Sequence, residues 1–161
     1  MMTLDRRCHI LAWTSLWIYV PFFIWCRLRM APLYCAALLP VSGTISILHW
    51  KNNRTGDWRH RLDMFVAVLL SSILTYQLLI TGRYVICTVL VFGQVGFFCR
   101  QRYIQRYNPI CWRETTQLHL MFRYIGFWLA MAVHMPHIGP LLFIALSISY
   151  MLHIVMLGYS F

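Results

Sequence analysis

Acidic side chains are nearly missing from this chain. Of 161 residues only four are Asp or Glu (Asp5, Asp57, Asp63 and Glu114), and charged residues of both signs make up 11%. Soluble domains carry about a quarter charged residues. A chain with this deficit, 60% hydrophobic and of mean hydropathy +0.63, has too little charge to stay in water. Long apolar runs cleared of charge make lipid the expected solvent.

Other absences narrow the chemistry. No phosphate-binding glycine loop and no His-Glu-x-x-His occurs. The Gly-x-Ser of an intramembrane serine protease is not in the fourth apolar run, which carries Gly93-Gln94-Val95-Gly96 instead. No carboxylate falls mid-run, so a pump-like proton path is excluded. Six cysteines are present (Cys8, Cys26, Cys35, Cys87, Cys99 and Cys111), but no two form Cys-x-x-Cys. A zinc knuckle or a disulfide framework is therefore not expected. Most of these thiols lie in or beside apolar runs, where cysteine acts as a small hydrophobe. Cys26, Cys99 and Cys111 sit near run ends, where palmitoylation would place a lipid. No internal repeat is evident.

What is present is positive charge and apolar length. The formal net charge is +10, and nucleic acid is the first partner such a number brings to mind. The basic residues, however, fall in short connections between apolar runs, where membrane topology places them. No nucleic-acid partner is expected. The first run has basic residues before it, like a signal peptide, yet it is long, rich in Trp and followed by no small-x-small cleavage site, so it reads as an uncleaved span.

The expected fold is a single all-α membrane domain with six spans, at about residues 9–26, 31–50, 63–81, 84–99, 118–134 and 141–157. Pro21 is expected to kink the first, as membrane helices tolerate. Gly82-Arg83 makes a tight turn. Residues 100–117 interleave Arg100, Arg102, Arg106 and Arg113 with Tyr103, Tyr107 and Trp112, the pattern of a segment lying along the headgroups. Arg123, near the start of the fifth run, can snorkel to the interface. If that run only lies on the surface, five spans remain. With six spans, ten Lys and Arg residues fall on one side and three on the other. That bias places both termini on the cytoplasmic side or its equivalent. Asn53-Arg54-Thr55 is a formal glycosylation sequon, but it lies in a basic loop on that same side.

This map sorts the histidines. Ser42, Ser46 and His49 share one helix face, and a polar stripe in a lipid-embedded helix turns toward other helices. His49 closes the second run, Asp63 opens the third, His119 lies near the start of the fifth and His153 returns to that side in the sixth. Such groups at one depth are what a catalytic zinc ion needs to make hydroxide from water. The expected ligands are His49, His153 and His119, with Asp63 as ligand or base and Ser46 orienting a ligand or water. The plain alternatives are that Asp63 caps its helix or pairs with Arg59 or Arg61. His134-x-x-His137 has metal-like spacing, but Pro136 breaks the helix there and the pair falls on the opposite side.

The stretch Ser46-Ile47-Leu48-His49, a basic loop, then Arg61-Leu62-Asp63 and an apolar run resembles the junction of second and third spans in the hemolysin III and progestin/adipoQ receptor families. Those families belong to the CREST group of membrane proteins, which includes alkaline ceramidases. The resemblance covers about residues 42–75. It implies a zinc site for lipid amide hydrolysis, to which His49 and Asp63 would belong. Position 45, where the family serine would fall, is isoleucine, with Thr44 and Ser46 beside it. The last run has the lone His153 in place of His-x-x-x-His, and the family has seven spans. Two functions are therefore expected of this chain. One is a compact zinc-dependent hydrolase acting on a lipid substrate. The other is a non-enzymatic scaffold or subunit, whose partners are the lipid bilayer and other membrane protein subunits.

Overall fold

The computed structural model describes residues 4–28, 33–52, 58–107, 112–133 and 139–159, and these are helical throughout apart from tight turns, with no strand among them. In chain order the helices are α1 (Leu4–Ser15), α2 (Tyr19–Leu28), α3 (Leu33–Asn52), α4 (Trp58–Ile80), α5 (Tyr84–Tyr107), α6 (Trp112–Val133) and α7 (Pro140–Tyr159). A 3-10 turn, Leu16–Ile18, joins α1 to α2 into one continuous rod. The His134/His137 turn, the sequon at 53–55 and Cys111 lie outside the described residues.

Three stretches are long and apolar enough to cross a membrane: Arg7–Arg27, Trp58–Ile80 and Tyr84–Tyr107. Pro140–Met156 is a shorter apolar helix. An all-helical chain with three such helices is what a membrane protein requires, since a helix satisfies its own backbone in lipid.

Local chemistry explains the breaks. Pro21 has no amide to bond the carbonyl of Trp17, and its ring crowds that carbonyl. The rod tightens into its 3-10 turn at this place rather than ending. The α4–α5 connection is closed by Gly82, whose φ of 74° suits glycine. Gly82 N–H donates to Leu79 O and Arg83 N–H to Leu78 O, each at 3.0 Å, the paired bonds of a Schellman cap.

Three helices run beyond the apolar stretches that marked them in the sequence. α4 starts at Trp58, so Asp63 lies within its second turn and does not cap it. α5 continues past Cys99 to Tyr107, and α6 begins at Trp112. Arg, Gln and Tyr are good or neutral helix formers, so loss of hydropathy at residue 100 ends the membrane signal without ending the helix.

α6 sits at the centre of the bundle and touches α1, α2, α4, α5 and α7, while α3 packs between the first rod and α4. One core gathers Ile10, Leu11, Trp50, Leu120, Phe127, Met131 and Tyr150 from α1, α3, α6 and α7. The other gathers Trp25, Leu39, Leu70, Leu74, Leu78, Cys87 and Leu129 from α2 to α6. α4 supplies Val66, Leu70, Leu74 and Leu78, one residue per turn on a single face. α3 crosses the 3-10 turn at Gly43, where a Cβ would stand 2.4 Å from Ile18 Cγ2.

Candidate functional site

The polar stripe of α3 turns inward. Ser42 and His49 are buried, and Ser46 is partly buried. Ser46 meets α6 through Arg123, which does not snorkel outward. Its Nη2 donates to Ser46 Oγ at 2.8 Å, and its Nη1 donates to Thr14 Oγ1 at 2.9 Å and to the carbonyl of Leu11. One guanidinium thus ties α6 to α1 and α3. In a low-dielectric interior a charge must find such acceptors, and a fork of donors can reach several at once.

The Leu11 carbonyl is shared by several donors. It also accepts the hydroxyls of Ser15 at 2.7 Å and Thr14 at 3.3 Å, one turn before the 3-10 segment. Trp50, at the end of α3, is the ring around which the cations collect. The Arg123 guanidinium lies 5.7 Å from its centroid and that of Arg7 5.3 Å. His49 and His119 meet it edge-on at 4.7 Å and 5.2 Å. Trp50 Nε1 has no hydrogen-bond partner among the described residues, so the ring is held through its π face and edge.

The histidines divide among these contacts. His49 Nε2 lies 3.3 Å from Nδ1 of His60 on α4, with the rings 5.0 Å apart. Asp63 is one helical turn beyond His60, and its charge acts on both His49 and Arg123. His119 Nδ1 lies 3.2 Å from Oε1 of the buried Gln101 on α5. His153 is elsewhere: its Nδ1 accepts from Trp17 Nε1 at 2.5 Å, and Trp17 stacks on Tyr150 at 4.7 Å. Trp17 is ten residues along the rod from Arg7, which marks the level of Trp50. That is about 15 Å of helix rise. His153 therefore does not join His49, and at zinc–nitrogen bond lengths of about 2 Å one ion would not span the two. Among the described residues, no group of three or more His, Cys, Asp or Glu stands close enough to hold a metal ion.

So His49 and His119 meet on Trp50, Ser46 reaches the Arg123 guanidinium that lies on the same ring, Asp63 acts on His49 and Arg123 through its charge, and His153 stands on Trp17 instead. The sequence reading missed His60, which it left in a loop, and the inward turn of Arg123. The signal for His60 was present: His60-x-x-Asp63 has helical spacing directly before an apolar run. The signal for Arg123 was weaker, a lone cation within an apolar run whose partners are a serine, a threonine and a carbonyl far away in sequence.

No protein-family model, no curated protein and no solved structure matches this chain.

Proposed function

We propose that the chain is a non-enzymatic membrane scaffold or a subunit of a membrane complex, built of six spans with both termini on the basic side. The observation that carries this reading is the use made of Arg123, His119 and His153. Each spends its polar atoms on another helix: Arg123 on α1 and α3, His119 on Gln101 of α5, His153 on Trp17. Groups committed to joining helices hold a bundle in one arrangement and leave few donors for a substrate.

Metal analysis of the purified protein with a His49→Ala comparison tests it. The expected result is no stoichiometric zinc in either form. One zinc per chain that disappears with His49→Ala would overturn it. Single-cysteine labelling near each terminus, from one side of sealed vesicles, tests the topology: both sites should react from the same side. Reaction from opposite sides removes the six-span count.

A second reading has one observation in its favour. His49 Nε2 and His60 Nδ1 are 3.3 Å apart, with Asp63 a turn away. Two nitrogens bound to one tetrahedral zinc stand about 3.3 Å from each other. On this reading His49 and His60 hold the ion, Asp63 a turn away is the base, and the reaction is hydrolysis of a lipid. The zinc stoichiometry just described decides between the two, and release of fatty acid from a ceramide substrate would mark the hydrolase.

A further inference from the structure

α5 and α6 approach each other closely at Gly93, where a Cβ would meet Ile125 Cδ1 at 3.0 Å, whereas at Gly96 a Cβ would meet nothing within 4 Å. The gap is an open groove of about 290 Å³, lined by Gly93, Gly96, Phe97 and Arg100 of α5 and Leu118 of α6. Its residues on α5 recur every three or four positions, and the same face continues through Tyr103 to Tyr107. The groove thus starts within the apolar half of a helix able to cross a membrane and ends where that helix becomes basic.

We propose that this groove binds one anionic phospholipid, with an acyl chain between Gly96 and Leu118 and the phosphate on Arg100. This goes beyond the scaffold reading and does not depend on it. The volume suits a chain rather than a whole lipid, since pockets that enclose small molecules start at about 300 Å³. Charge selects the occupant. Arg100 lies at the mouth with its side chain 60% exposed, and its ion pair with Glu114 Oε1 is 3.7 Å long, with the glutamate side chain 46% exposed. An exposed pair of that length contributes little and yields to the two-pronged bond a phosphate accepts from a guanidinium. The Tyr103 ring centroid lies 5.9 Å from the Arg100 cation, and the ring meets Tyr107 at 4.7 Å, tilted by 45°. Both phenols are mainly exposed, at the depth where amphipathic rings meet headgroups.

Native mass spectrometry of the full chain, released from micelles carrying either dioleoylphosphatidylglycerol or dioleoylphosphatidylcholine, tests this. One phosphatidylglycerol should stay bound more tightly than phosphatidylcholine, by about fivefold, the effect of one basic residue at an anionic surface. Arg100→Gln should erase the preference and leave phosphatidylcholine retention unchanged. Gly96→Leu, whose side chain enters open space, should lower retention of both lipids while the thermal transition of the protein stays put. Inorganic phosphate at millimolar concentration should not displace the lipid. Equal retention of the two lipids by the unaltered chain, or an undiminished preference in Arg100→Gln, would overturn the proposal. So would a lipid-independent dimer that Gly96→Leu dissolves, which assigns the groove to a second copy.

Discussion

Arg123 and Arg100 lie on the two most closely packed helices, and the chain uses them in opposite ways. Arg123 is turned into the bundle, where its donors reach Leu11, Thr14 and Ser46 and its face meets Trp50. Arg100 stands at the rim of a groove with a loose partner in Glu114. The residue type is the same and so is the expected membrane face. What differs is whether acceptors from other helices surround the guanidinium. A cation with fixed acceptors works as a structural tie, whereas one with a solvent-facing partner is available for exchange with a ligand.

The comparison is sharpest if Arg123 is removed. Arg123→Met keeps the length and apolar stem while deleting bonds to two helices. It should destabilise the fold by about 2–4 kcal/mol, the range for losing several charge-assisted hydrogen bonds in a buried setting. Thermal or steric-trap unfolding in micelles would measure this. A loss under 0.5 kcal/mol would place Arg123 with Arg100. Gly43→Ala should follow at about 1–3 kcal/mol, because the added methyl collides with Ile18 and Tyr19 in the crossing of α3 over the rod. An unchanged transition there would show that the rod yields.

Trp17→Phe should cost less, about 1 kcal/mol, the worth of the single hydrogen bond to His153 with the ring stack on Tyr150 retained. Imidazole nitrogen chemical shifts would register the lost bond at His153 and leave His49 alone, since the two lie at different depths. A matching change at His49 would join what the fold separates. The smallest effect on stability belongs to Arg100→Gln, within about 0.5 kcal/mol, as for surface substitutions generally. Its consequence should appear in lipid selectivity alone.

Parts of this arrangement were legible in advance. The inward face of Ser42, Ser46 and His49 follows from helical spacing within an apolar run, and the burial of Ser42 and His49 agrees with it. His49 and His119, expected at one level from the count of apolar runs and charges, both meet Trp50. Sequence spacing failed at Asp63 and His60, because α4 begins in residues whose polarity resembles that of a loop. It failed again at His153, whose depth is set by the aromatic packing of Trp17 against Tyr150 and Phe127.

Composition and periodicity by themselves determined that the chain is helical and suited to lipid, because each follows from the solvent preference of single residues and their neighbours along one helix. They also determined where polar faces lie on each helix. Only the tertiary structure decided which polar groups meet. The acceptors of Arg123 come from residues more than 70 positions away, and one is a backbone carbonyl that no side-chain pattern records. The groove beside Arg100 likewise exists only because Gly93, Gly96, Phe97 and Arg100 of α5 stand beside Leu118 of α6, a juxtaposition that belongs to the packing of two helices and to neither sequence alone.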